Sequence, residues 1–308
     1  MKIYRSLDEF KRLAKAVVTI GTFDGVHIGH QRIVQRLSEI ARTEGGETVV
    51  LTFFPHPRMV LQPDDNTLRL LSTLSERELL LEKAGVDHLI IHPFSKDFSR
   101  LSAVDFVRDL LVTRIGLHTL VIGYDHHFGR NREGSHRDLE EMSSVYGFHL
   151  EEIPPQEIDE VAVSSTKIRN ALMTGDVNIA NQLLGYEYML HGKVVNGDRI
   201  GRTLGFPTAN LELQENYKLI PADGIYAIHA DLEGESHLGM LYIGNRPVLG
   251  GTRKVIEAHL FEFDRDIYGQ YLTIRLIQRI RGDKHVADLE ELKTLMEEDR
   301  RIATKILS

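Results

Sequence analysis

The sequence predicts two domains of different class: an α/β N-terminal domain on a parallel sheet, residues 1–185, and an all-β C-terminal antiparallel barrel with a terminal helix, residues 186–308. Three observations predict this. The early strands are unbroken apolar runs separated by helical patterns, as in a parallel sheet covered on both faces. The later strands are short and bounded by turn residues, with no helix between them. The 308 residues are also enough for two domains of the usual ~150.

The first strand is Ala16-Val17-Val18-Thr19-Ile20, ended by Gly21. A helix follows, with Ile33, Val34, Leu37, Ile40 and Ala41 on one face, and stops at Gly45-Gly46. Thr48 to Phe54 is the next strand, cut by Pro55 and Pro57. Leu74 to Ala84 reads as a helix and His88 to Ile91 as a strand. Ser102-Ala103-Val104-Asp105 opens another helix with a capping-box variant. Thr119 to Gly123 is again a strand. In such sheets ligands bind beyond the carboxyl ends of the strands, which directs attention to the loops after Ile20, Phe54, Ile91 and Ile122. Two short helices follow, one from Ser165-Thr166 to Gly175 and one capped by Asp176 and ended by Gly185.

Beyond Gly185-Tyr186 the pattern changes. Gly224 to Ala230 and Leu238 to Gly244 form a hairpin pair across Glu233-Gly234. Val255 to Phe263 alternates with period two, and Tyr271 to Ile277 follows a Tyr268-Gly269 turn. A charged amphipathic helix, Val286 to Ile306, closes the chain.

Composition narrows the function. The chain has 45 acidic and 37 basic residues, a net charge of −8. No overall cationic field is available to displace counterions from a nucleic-acid backbone, so nucleic acid is not the expected partner. With no cysteine, disulfides, thiolate metal sites and a cysteine nucleophile are excluded, and a reducing compartment fits. The N-terminus is charged throughout, and no apolar run approaches the ~20 residues of a membrane helix. A cytoplasmic protein without membrane association is expected.

Two stretches carry chemistry. Gly21-Thr22-Phe23-Asp24-Gly25-Val26-His27-Ile28-Gly29-His30 joins the first strand to the first helix. Its glycines permit sharp turns and close backbone approach. A helix N-terminus attracts phosphate, and imidazole N–H groups beside it can donate to charge that builds on phosphoryl oxygens. Gly201-Arg202-Thr203-Leu204-Gly205-Phe206-Pro207-Thr208-Ala209-Asn210-Leu211 lies in the β-rich part. Thr208 and Asn210 alternate on an extended segment, so both can face one site, and their oxygens suit Mg²⁺ that keeps waters and phosphate oxygens. Read alone, these are a glycine-rich turn with two histidines and a hairpin loop with exposed polar residues.

As whole strings they are more specific. The first resembles the nucleotide-binding motif of the Rossmann-like nucleotidylyltransferase superfamily, in the Phe-Asp-Gly form of its FAD synthetase branch. Three further segments agree. Thr52-Phe53-Phe54-Pro55-His56-Pro57 resembles that family's flavin-side loop. Ile122 to Arg130 resembles its G-x-(D/N)-F-x-F-G stretch, with His126 where an aromatic is usual. Val163-Ser164-Ser165-Thr166-Lys167-Ile168-Arg169 resembles S-S-T-x-I-R. The second string resembles the G-x-x-x-G-x-P-T-A-N motif of riboflavin kinases. Glu257 to Gly269 resembles that family's E-x-H-L-x-x-F-x-x-D-(L/I)-Y-G, and Val248 stands where Thr is common. The resemblance, covering nearly the whole chain, is to bifunctional bacterial riboflavin kinase/FAD synthetases.

It implies ATP-dependent phosphorylation of riboflavin to FMN by residues 186–308, and adenylylation of FMN to FAD with release of pyrophosphate by residues 1–185. It implies His27, His30, Arg169 and Glu257 as catalytic residues, Glu257 being the kinase base. ATP for adenylylation falls to Gly21, Phe23, Asp24, Gly25, Gly29, Asp125, Ser164, Ser165 and Thr166, and flavin to Pro55, His56 and Pro57. Kinase phosphate binding falls to Gly201, Gly205, Pro207 and Thr208, with Mg²⁺ on Thr208 and Asn210. One rival is a nucleotidylyltransferase for another phosphorylated acceptor, with the barrel an appendage. Another is a flavin-sensing regulator. The Pro207-Thr208-Ala209-Asn210 string disfavours the first, and the net charge of −8 the second.

Overall fold

The computed structural model describes residues 1–308 except 66, 124–127, 131–132, 154–162, 198–203, 249–250 and 285, and leaves aside the side chains of 246–248 and 251–253. The chain divides into two compact units, Met1–Ser164 and Ser165–Ser308.

The first unit is a six-stranded, wholly parallel sheet with spatial order β1-β4-β3-β2-β5-β6. Its elements are β1 (Lys2–Tyr4), β2 (Ala16–Ile20), α1 (Ile28–Glu44), β3 (Glu47–Phe54), α2 (Pro57–Leu61), α3 (Leu74–Lys83) and β4 (His88–Pro93). They continue with α4 (Ala103–Asp105, extended in π-helical geometry over Phe106–Ile115), β5 (Leu117–Gly123), α5 (His136–Tyr146) and β6 (His149–Ile153). All five residues of β2 are buried, as expected of a central strand covered on both faces. Val34, Leu37, Ile40 and Ala41 of α1 are buried, and Gly45 ends that helix in the left-handed region at φ 67°. β3 and β5 flank β2 on opposite sides, so the chain order reverses at the end of β2, where parallel sheets of this type open a crevice.

The second unit starts with α6 (Ser165–Thr174) and α7 (Val177–Leu184) and continues with β7 (Met189–Val195), β8 (Ala209–Glu212), β9 (Gly224–Leu232), β10 (Glu235–Val248), β11 (Gly251–Leu260), β12 (Tyr271–Gly282) and α8 (Leu289–Leu307). The strands close into a barrel, β10-β11-β8-β7-β12-β9, through antiparallel pairs. Glu233 and Gly234, at φ 51° and 89°, make the expected β9–β10 turn. Asp176 and Gly185 cap α7 as the sequence indicates. The sequence boundary at 185/186 and the compact-unit boundary at 164/165 differ by this helix pair. Asn181 Nδ2 donates to Leu276 O at 2.8 Å, and Leu172 O accepts from Ala222 N at 3.0 Å, so the pair packs on the barrel. At the other end of the chain, Met296, Ala303 and Ile306 of α8 pack with Phe206, Ala227 and Met240 of the barrel unit.

Candidate active sites

In the first unit the loop from Gly21 to His27 leaves β2 under constraint. Phe23 and Val26, at φ 48° and 37°, hold left-handed conformations although neither is glycine, and both are buried. Such conformations persist where surrounding structure over-determines them, and they cluster at functional sites. Part of that structure is Asp24. Its carboxylate, 1% exposed, accepts the backbone N–H groups of Leu71 at 2.9 Å and Ser72 at 3.1 Å. Ser72 Oγ in turn accepts Gly25 N–H at 3.0 Å. Asp24 thus ties the loop to the segment entering α3.

The loop delivers His27 to the N-cap of α1. Its Nδ1 accepts the backbone N–H of His30 at 3.4 Å, so the ring carries its proton on Nε2. The His30 ring stacks on His27, and the Phe23 ring is tilted toward it with centroids 4.9 Å apart. Gly29 makes room for this. A Cβ there would meet Val163 at 3.0 Å and the His27 ring at 3.3 Å. His30 Nδ1 is buried and has no partner among the described residues. Burial, then His27, then the Arg77 cation hold this imidazole well below the ordinary histidine range. It is therefore a neutral ring with one nitrogen unengaged, beside a helix N-terminus.

Arg77 was not anticipated. It lies on α3 and is 1% exposed, and its Nη1 donates to Thr52 Oγ1 at 3.4 Å. Thr52 Oγ1 donates to Thr22 O at 3.2 Å. A buried cation is thereby linked through the end of β3 to the phosphate-type loop. The Pro55-His56-Pro57 segment follows β3. Pro55 is exposed, and His56 caps the short α2 by accepting Arg58 N–H at 3.2 Å.

Ser164 ends the first unit. Ser165, Thr166 and Arg169 stand on the opening turns of α6, where Ile168 is fully buried and Thr166 exposed. Asp125, His126 and Gly201 lie outside the described residues, as does the side chain of Val248.

In the barrel the predicted residues converge. Asn210 on β8 is the register partner of Glu257 on β11, and Thr208 Oγ1 donates to Glu257 Oε2 at 3.3 Å. Gly197 permits this arrangement, since a Cβ there would lie 2.1 Å from Asn210 Nδ2. Gly205 turns at φ 85°, and Pro207 O accepts from His259 Nδ1 at 2.8 Å, which fixes that ring's proton on Nδ1. Burial holds His259 below its usual range. Two cavities meet here. One, of about 270 Å³, is largely apolar, with Leu204, Ile225, Met240, Leu292 and Met296 around Glu257. The other, of about 340 Å³, is lined by Val194, Pro207, Asp264, Asp266 and Tyr268 among others. Thr208 belongs to both. The Arg281 guanidinium pairs with the buried Asp299 carboxylate at 2.9 and 2.8 Å, pinning α8 to β12 beside the first cavity. Tyr242, Arg281 and Asp299 also line that cavity and carried no sequence motif.

Among the described residues no group of three or more His, Cys, Asp or Glu side chains gathers as a metal cage. The donors at the junction are a hydroxyl, an amide oxygen and a carboxylate. Such a set fits Mg²⁺ carried mainly by nucleotide phosphates and water. No helix among the described residues is long and apolar enough to cross a membrane.

A family model for FAD synthetases matches residues 9–167, and one for riboflavin kinases matches residues 184–307. The chain is 38% identical over 284 residues to a bifunctional riboflavin kinase/FMN adenylyltransferase of Pseudomonas fluorescens, covering 92% of this chain and 90% of that one. It is 35% identical over 302 residues to the protein of the same name in Escherichia coli K12, covering 97% and 96%. A crystal structure named as a macrolide-efflux protein from Streptococcus pneumoniae superposes with a TM-score of 0.89 at 29% identity, covering 98% of both chains.

Proposed function

The chain belongs to the family of bifunctional riboflavin kinase/FMN adenylyltransferases, and from that premise we propose which of its residues carry each reaction. Its C-terminal part phosphorylates riboflavin to FMN with ATP, and its N-terminal part transfers AMP from ATP to FMN, giving FAD and pyrophosphate.

For the kinase, the carrying observation is that two cavities meet at Thr208, with Glu257 facing the apolar one. The apolar cavity takes the isoalloxazine and the other the nucleotide. Glu257 accepts the proton of the ribityl terminal hydroxyl while its oxygen attacks the γ-phosphorus and the bond to ADP breaks. Thr208 and Asn210, with Gly201, Gly205 and Pro207, hold the phosphates. Mg²⁺, held by Thr208 and Asn210 together with the nucleotide, neutralises developing phosphoryl charge when bound.

For adenylyl transfer, an oxygen of the FMN phosphate attacks the α-phosphorus of ATP and pyrophosphate leaves, so no protein nucleophile is required. His27 donates from Nε2, and His30 presents its unengaged ring to the same phosphoryl group. Both act on charge that grows in the transition state. Gly21, Phe23, Gly25 and Gly29 shape the loop that the phosphates approach, and Asp24 fixes it. The family resemblance assigns Ser164, Ser165, Thr166, Arg169 and Asp125 to ATP, and Pro55, His56 and Pro57 to the flavin. ATP dependence of both steps supports a cytoplasmic location.

Incubation with riboflavin, ATP and Mg²⁺, followed by chromatography that scores FMN and FAD separately, tests the assignment. Both products are expected. Formation of neither by folded protein would overturn it.

A further inference from the structure

Tyr242 on β10 lies directly across from Glu257 on β11, and Glu257 directly across from Asn210 on β8. Directly opposed residues of antiparallel strands project from the same face. The three side chains therefore form one row over three strands, with the carboxylate in the middle. Asn210 and Thr208 occupy the phosphate side of that row, and Tyr242 occupies the other. Tyr242 shares the apolar cavity with Glu257, whereas Thr208 opens onto both cavities.

The phenol is held in place. Its ring folds over Gly244, where a Cβ would sit 2.0 Å from Tyr242 Oη, so a larger residue at 244 would expel it. Tyr242 Oη donates to Asp283 Oδ2 at 3.3 Å, on the segment between β12 and α8 that borders the same cavity. Burial, then the Asp283 carboxylate, push the phenol up to about 12, so it keeps its proton throughout the neutral range. Its oxygen also retains lone pairs that can accept.

We propose that Tyr242 binds the ribityl chain of riboflavin, hydrogen-bonding one of its secondary hydroxyls and so setting the terminal hydroxyl against Glu257. This rests on the reading that the apolar cavity takes the isoalloxazine. A flavin whose ring lies among Ile225, Met240, Leu292 and Met296, and whose chain ends at Glu257, runs its polyol past the acceptor side of the row. Hydroxyls leaving water there need partners, and Tyr242 supplies one beside the apolar side chains of Ile225 and Met240. Tyr242 is thus a positioning and specificity residue.

The test uses the full chain and Tyr242→Phe, which keeps the ring and removes the oxygen. Lumiflavin, the same ring system with a methyl group in place of the ribityl chain, serves as a kinase inhibitor, since it has no hydroxyl to phosphorylate. The expected result is kcat/KM for riboflavin lower by about tenfold, the usual scale for one lost neutral hydrogen bond. KM for ATP, the lumiflavin inhibition constant and FAD formation from supplied FMN are expected to stay unchanged. The last two show that the cavity and the chain are intact. An unchanged kcat/KM for riboflavin, or a lumiflavin inhibition constant that rises in parallel, overturns the proposal alone. Failure of lumiflavin to inhibit the unsubstituted kinase overturns the reading of the cavity and the proposal with it.

Discussion

The imidazole rings of His27 and His30 lie face to face, with centroids 3.7 Å apart and planes 14° from parallel. Two cations at that separation repel strongly in a buried setting, and His30, held well below the ordinary histidine range, is neutral at neutral pH. Removing His30 takes away a group proposed to meet the phosphoryl charge. His30→Ala is expected to lower FAD formation from FMN by about 10²-fold, the scale of losing one transition-state donor. Riboflavin phosphorylation should continue, and equal loss of both activities in folded protein would contradict the assignment.

The same pair sets a pH dependence of stability. The folded-state pKa of His30 lies well below the unfolded value of 6.5. As pH falls below 6.5, the unfolded chain takes up a proton that the folded one refuses, so stability declines; above 6.5 the contribution is fully present. Thermal unfolding of the N-terminal unit should therefore shift to lower temperature between about pH 6.5 and pH 5. His30→Gln should flatten that shift, and an identical pH profile in the variant would argue against it.

Glu257→Gln keeps the size and hydrogen-bonding reach of the side chain but removes its basicity. FMN formation from riboflavin should fall to background while supplied FMN is still converted to FAD. Chromatography of the two reactions separates the outcomes.

Asp24 accepts two backbone N–H groups that burial leaves no water to satisfy. Asp24→Ala is expected to destabilise the N-terminal unit by about 2–4 kcal/mol, the scale of leaving such donors unpaired, and to depress FAD formation with it. A lower affinity for ATP at unchanged unfolding midpoint would instead mark Asp24 as a ligand contact.

Asp299→Ala removes the partner of Arg281, a group still partly exposed and so able to hydrate. The loss should be about 1–3 kcal/mol, below the range for a fully buried pair. Since the pair pins α8 beside the apolar cavity, KM for riboflavin should rise while KM for ATP holds. Steady-state kinetics with each substrate varied decides this.

Much of the first site was legible in the chain. The run Ala16 to Ile20, the glycines at 21, 25 and 29, and the histidines at 27 and 30 fix a strand, a turn and a helix start within a few residues of one another. Arg77 was not legible. On a helix with charged neighbours it reads as solvated, and only the meeting of α3 with the end of β3 buries it against Thr52. The edge strand Lys2–Tyr4, too short and polar to signal itself, is likewise visible only through its pairing with β4.

The caps at Asp176, Gly185 and Gly45 and the hairpin at Glu233-Gly234 were written in the sequence, because each rests on dihedral preferences and hydrogen bonds that close within a few residues. The alignment of Tyr242, Glu257 and Asn210 was decided by the tertiary structure alone. Which residue faces which across a barrel depends on register between distant strands, and a slip of one residue turns every side chain of a strand to the opposite face.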